Sequence, residues 1–273
     1  MEPPKPPTRD RATRLAHLTG HRAGTPHPYW VTGVGSGGKF TPEGTPLGFP
    51  GNTFLCHIDP TSYAYDVLGT LQDRLRALPT ATSFAFLPKP SFHMTVFCGV
   101  SGTPLSRDGW PAALPPGTPL AEVTNLFVER LWGLTGATGM RVRAERFDLG
   151  TSISLVERDL ASGRVLRRLR DTLRDATGLD REDHDTYEFH VTLAYLTSWL
   201  DAAVAPDYLD ALDAIFGESR DALGNIELGP VEVCEFDDMQ AFRPVALFGP
   251  EGVQRVDASR GQPTGIGAAD QND

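Results

Sequence analysis

The chain has 273 residues, 40% hydrophobic and 22% charged, a balance that excludes a fibrous or wholly disordered protein and leaves ample length to bury a core. Its net charge of −10 disfavours non-specific gripping of long nucleic acid, which takes many Lys and Arg contacts to phosphate, but leaves room for a small anionic ligand in a locally basic pocket. The opening Met1-Glu2-Pro3-Pro4-Lys5 has no apolar leader and no later run is long enough to span a membrane, so the expectation is a cytoplasmic protein without a membrane partner.

Residues 1–28, rich in Pro, Arg, Thr and His, read as a tail or loosely packed arm. His17 and His21 have the i,i+4 spacing of a helical metal pair, but the segment lacks the glutamate of the zinc protease motif and contains a glycine. Next, Gly33-Val34-Gly35-Ser36-Gly37-Gly38-Lys39-Phe40 falls short of a nucleotide triphosphate loop, because Phe40 stands where the magnesium-binding hydroxyl belongs and turn residues follow. Two readings remain: a mobile glycine-rich flap carrying Lys39 to a phosphate, or a plain surface loop. Tyr29, Trp30 and Phe40 flank it as base-stacking candidates, although aromatics more often simply pack.

Ordered alternation runs from Asn52, placing the main domain at 29–256. Thr53–Ile58 reads as a strand, Ser62–Leu78 as a helix, Ser83–Leu87 as a short strand and Ser91–Val100 as a longer one. A proline-rich loop, 101–119, leads to a helix at Leu120–Leu134 and a strand at Met140–Leu149. The pattern then repeats: strand Ser152–Glu157, helix Asp159–Ala176, acidic loop Asp180–Asp185 and strand Tyr187–Leu196. A helix at Val204–Phe216 precedes a hairpin of Ile226–Phe236 and Met239–Phe248 turning at Asp237-Asp238. Residues 257–273 lack periodicity and read as a disordered tail. Cys56, Cys98 and Cys234, odd in number and widely spaced, read as small core residues rather than disulfide or zinc ligands.

Two stretches in the repeats are nearly alike, Phe92-His93-Met94-Thr95-Val96 and Phe189-His190-Val191-Thr192-Leu193. In a strand, alternate side chains face opposite sides, so each stretch turns a histidine and a threonine away from its apolar residues. The two side chains sit roughly 7 Å apart along the strand, a span suited to a phosphate. Ser62 and Asp159 each stand 31 residues before their histidine, which points to internal duplication.

A duplicated strand-helix-strand unit with His-x-Thr in each half resembles the 2H phosphoesterase superfamily, over approximately residues 50–250. Gly38-Lys39-Phe40 followed by Phe49-Pro50-Gly51-Asn52-Thr53 looks like a bacterial branch related to cyclic phosphodiesterases, whose relatives include RNA 2′,3′-cyclic phosphodiesterases. The resemblance implies an α+β, two-lobed fold with antiparallel sheets around a central cleft and helices outside. It also implies catalysis by His93 and His190, phosphate binding by Thr95 and Thr192, and neither metal nor other cofactor. One histidine would act as base and the other as acid, the residues alone not saying which. The expected substrate is a small cyclic nucleotide or a 2′,3′-cyclic RNA end.

Around these four, Lys39, Phe40, Trp30 and Arg243 are possible substrate contacts, although Arg243 reads first as a solvated surface residue. Tyr187 falls on the opposite face from His190 by strict alternation and His57 reads as structural. His184, between Asp183 and Asp185, resembles a metal-binding pair but reads as part of an exposed acidic loop. Competing functions are a non-catalytic protein that sequesters a cyclic nucleotide in the same cleft, and a metal hydrolase whose ligands the sequence does not assemble. Oligomeric state is not read from the sequence.

Overall fold

The computed structural model describes residues 10–21, 23–31 and 38–256. The expected tail at 257–273, the first nine residues of the arm and most of the glycine-rich loop lie outside the described residues.

Two helices show why the repeated units fold alike. Helix α2 (Tyr63–Arg76) starts where the Ser62 hydroxyl accepts the Tyr65 N–H, and Leu68, Leu71 and Leu75 make its buried stripe. Helix α4 (Leu160–Thr177) starts where the Asp159 carboxylate accepts the Ser162 N–H, buries Leu166, Leu169 and Leu173, and ends at Gly178 in the left-handed conformation. The two capping residues are the ones 31 positions before His93 and His190, so the repeat holds at the level of helix starts. Helix α3 (Leu120–Arg130) follows the proline-rich loop and α5 (Ala205–Ser219) follows the second unit.

The strands are β1 (Gly51–His57), β2 (Phe84–Phe86), β3 (His93–Ser101), β4 (Met140–Asp148), β5 (Ser152–Glu157), β6 (His190–Thr192), β7 (Ala194–Leu196), β8 (Ile226–Leu228), β9 (Val231–Phe236), β10 (Arg243–Gly249) and β11 (Gly252–Arg255). Nine of them form one antiparallel sheet in the order β11-β10-β9-β1-β3-β6-β5-β4-β8, and β2 pairs with β7. The β3–β6 joint fuses the halves: β1 and β3 belong to the first unit, β5 and β6 to the second. The fold is thus the expected α+β architecture. No helix among the described residues is long and apolar enough to cross a membrane.

Several boundaries depart from expectation. The strand expected at Ile226–Phe236 breaks at Gly229-Pro230, where proline has no N–H to give a ladder; β8 pairs with β4 at one end of the sheet and β9 with β1 in the other half. The β9–β10 connection spans 237–242 rather than two residues, and β11 is an additional strand. The expected Tyr187–Leu196 strand is two short pieces in different sheets, separated at Leu193, whose N–H donates to Thr151. Helix α3 stops at Arg130.

The arm is not loose where it is described. Residues Arg11–Leu18 form helix α1, capped by Asp10 and pinned to α5 by Arg11–Asp210 (2.6 Å) and Arg14–Asp213 (2.7 Å), with Leu18 buried. Its polar composition hid it, since only one side chain needs to be fully buried.

Beneath the sheet lies the main apolar core, which takes in Phe54, Met94, Val96, Phe97, Phe127, Phe189 and Val191. A smaller cluster gathers Phe40, Phe49, Ala85, Leu87, Phe236 and Met239. Cys56 and Cys234 are buried, but Cys98 is exposed, contrary to its reading as a core residue. A bulge explains it: Phe54 pairs with Phe97 and Leu55 with Thr95, so Val96 is the extra residue and alternation inverts beyond it.

Candidate active site

At the joint, Met94 pairs with Val191, both fully buried on the core face. Extending this antiparallel register one residue each way sets His93 across from Thr192 and Thr95 across from His190. All four side chains therefore share the other face, as neighbours about 4.5–5.5 Å apart at Cβ. Each histidine faces the other motif's threonine, and all four are half-buried walls of one cavity of about 530 Å³.

Both imidazoles are aimed by the same local device. His93 Nδ1 lies 2.7 Å from the Ser91 carbonyl oxygen, and His190 Nδ1 lies 2.9 Å from that of Glu188, each two residues back in the chain. A carbonyl only accepts, so each Nδ1 donates and each Nε2 is the atom that gains or loses the working proton. Such fixing of ring and tautomer is what proton transfer requires.

The surroundings of the two rings differ. His93 packs against Phe242, the rings tilted by 57° with centroids 4.2 Å apart, and has the ring of its cross-strand partner His57 at 6.1 Å. Burial, followed by the like charge of His57, His190 and Lys39, pushes the His93 pKa down to about 3, against the Ser91 hydrogen bond, which favours the charged ring. In the second half Ser154 pairs with His190 as His57 pairs with His93, and its hydroxyl donates to the buried Asp148 carboxylate. Asp148 also pairs with Arg146 at 2.8 Å. One histidine thus neighbours a potential cation and the other a hydroxyl tied to an anion.

The remaining candidates divide. Lys39 and Trp30 line the cavity, with the Lys39 ammonium 3.8 Å from the Trp30 ring centre, so that ring face is already covered rather than open to a base. Phe40, only 1% exposed, belongs to the smaller core and packs 5.0 Å from the Tyr195 ring, which removes it as a substrate contact. Arg243 lies outside the cavity wall and pairs with Asp237 at 2.8 Å, the solvated role. Lys39 itself is tied on both sides of its backbone: its N–H donates to the Trp30 carbonyl and its carbonyl accepts from Leu47.

Sequence reasoning missed other walls. Tyr187 lines the cavity 6.2 Å from the His190 ring, because it precedes β6 and strand alternation does not govern it. Phe242, Tyr195, Cys98 and, from the arm, His17 also line it; the sequence read Cys98 as core and His17 only through its spacing to His21, and no motif marks Phe242 or Tyr195. The sequence reads neither His17/His21 nor His184 as metal ligands, and the structure gives each a different setting. His184 is buried rather than exposed and bonds Asp171 at 2.9 Å. The helix containing His17 ends at Leu18, before His21. Among the described residues, His57, Glu232 and Cys234 bring ligand atoms within 4.8 Å of one another. However, the His57 Nδ1–H already donates to Glu232 at 2.8 Å, and burial raises the Cys234 pKa well above the ordinary thiol value, favouring the protonated form that does not ligate.

Residues 39–152 match the family described as 2H-phosphodiest, a domain of unknown function (DUF1868). The chain is also similar to a solved structure, the conserved protein of unknown function ATU0111 from Agrobacterium tumefaciens str. C58. Identity is 30% over 86% of this chain and 98% of that one, with a TM-score of 0.78. No curated protein matches the chain.

Proposed function

Given that the chain belongs to the 2H-phosphodiest (DUF1868) family, a phosphoesterase family by its label, we propose that it hydrolyses a cyclic phosphodiester of a small nucleotide or of a 2′,3′-cyclic RNA end, without a metal. The observation that carries this reading is the matched pair of aimed imidazoles, each with Nδ1 tied to a carbonyl, on one face of the β3–β6 joint.

In the proposed reaction His93 is the base. Its environment keeps it neutral, so Nε2 takes a proton from the attacking water as the water oxygen bonds to phosphorus. His190 is the acid: its Nε2 gives a proton to the leaving ribose oxygen as the P–O bond breaks. Thr95 and Thr192 donate to the non-bridging oxygens, where negative charge is held through the transition state. A cyclic phosphate suits two groups facing each other, because the attacking and leaving oxygens lie roughly in line. The product is a phosphomonoester, and the two histidines end in exchanged protonation states that solvent resets.

The test is incubation with 2′,3′-cyclic and 3′,5′-cyclic nucleotides in excess chelator. Hydrolysis is expected, with His93→Ala and His190→Ala each reducing it by about 10²–10⁴-fold while circular dichroism stays unchanged. Tight binding without product would instead support the sequestering protein, and activity lost to chelator would support the metal hydrolase.

A further inference from the structure

The four motif side chains account for one phosphate, yet the cavity continues to a second basic group. The Lys39 ammonium is half-buried in an aromatic box: 3.8 Å from the Trp30 ring centre, 5.0 Å from Phe49 and 5.3 Å from Tyr195. Among the described residues its ammonium makes one hydrogen bond, a long one of 3.4 Å to the Tyr195 hydroxyl. Among the described residues no carboxylate comes within ion-pair distance, in a chain where most half-buried cations do have one, Arg14, Arg107 and Arg146 among them.

A half-buried cation has given up part of its hydration, and three ring faces restore only a fraction of it. An ammonium has three N–H donors, and most of this group's capacity is unspent. The backbone on either side is hydrogen-bonded, so the position is built rather than sampled. It stands on another wall of the same cavity, within electrostatic reach of His93. Lys39 precedes β1, and its partner Tyr195 is in β7, which belongs to the separate two-stranded sheet.

We propose that Lys39 is the binding site for a second anionic group of the substrate, a terminal phosphate, and that the substrate class is therefore a nucleoside 2′,3′-cyclic phosphate carrying a further phosphate on its 5′ side. The inference rests on the hydrolytic reading above. Trp30, Phe49 and Tyr195 hold the ammonium in place until the anion arrives, and Lys39 then donates to it along charge-assisted hydrogen bonds.

Binding, not turnover, tests it. Calorimetry on the His93→Ala protein compares adenosine 2′,3′-cyclic phosphate with and without a 5′-phosphate, and repeats the pair in the His93→Ala, Lys39→Met protein. The 5′-phosphate is expected to tighten binding about tenfold or more when Lys39 is present and less than about twofold when it is methionine. No tightening, tightening that survives Lys39→Met, or no binding of either ligand would overturn the inference. Equal weakening of both ligands by Lys39→Met would place the ammonium on the scissile phosphate, and this too would overturn it. Hydrolysis of the unadorned cyclic nucleotide by the unmodified protein decides the underlying reading separately.

Discussion

His93 and His190 carry identical local wiring, so their chemical difference must come from neighbours. The cross-strand partner of His93 is His57, held by Glu232 through both its ring and its backbone N–H. Its ring, 6.1 Å from that of His93, opposes a positive charge there. Replacing it by glutamine removes that repulsion, so the acid limb of kcat/KM, which reports the base in the free enzyme, should move up by roughly one pH unit. A pH–rate profile of His57→Gln checks this; an unmoved limb would detach His57 from the base. The same shift sets a stability trend. An unfolded histidine takes its proton near pH 6.5 and the folded His93 only near 3, so this group's contribution is full above pH 6.5 and falls as pH drops through that window.

The motif residues were legible because histidine and threonine recur at matched spacing, and alternation alone separates them from their apolar neighbours. Cys98 and Tyr187 were not, since a bulge inverts the alternation ahead of one and the other lies outside any strand. Arg170 escaped for another reason. It shares the buried stripe of α4, only 2% exposed, and spends its donors on the Val96 and His184 carbonyls, contacts that no local pattern announces.

At the scale of elements, the arm is a wall of the cavity: α1 and the segment after it contribute His17, Gly20, Tyr29 and Trp30. Gly20 fits because it adopts a positive φ of 64° and because a Cβ there would sit 2.5 Å from the Trp199 indole. Gly20→Val should therefore lift the arm from Trp199, raise KM several-fold with a smaller change in kcat, and cost about 1–3 kcal/mol of stability, read by steady-state kinetics and urea unfolding. Helices with a continuous apolar stripe, α2 and α4, were legible to within two residues. Helix α1 was not, because ion pairs to α5 and a single buried leucine hold it.

For the whole molecule, the central question is what keeps the two halves in register, since the β3–β6 joint rests on the Met94–Val191 pair, with the three pairs of the β2–β7 ladder beside it. Gln72 on α2 supplies a side-chain tie. Its Nε2 donates to the Leu87 carbonyl at 2.8 Å and to the Leu193 carbonyl at 2.9 Å, joining the first unit to the strand break beside the second motif. Its Oε1 is buried without a partner, so Gln72→Leu trades two lost bonds against one relieved acceptor. The net cost should be about 1–3 kcal/mol in urea unfolding, with kcat falling because the histidines lose their alignment. This tie was invisible to a reading of periodicity, which registers a polar residue on a helix stripe as an interruption.

The hydrogen bond from each ring back to a carbonyl two residues earlier has an evolutionary corollary. All that aims a histidine is contained in a few consecutive residues, so copying that short cassette delivers a correctly pointed proton carrier ready-made. Two copies make twins, and twins cannot divide labour. The asymmetry lies beside them: position 57 is histidine where its counterpart, 154, is serine, and Phe242 and Lys39 come from segments outside the repeated unit. The repeated cassette sets the aim, and what flanks it tells the two rings apart.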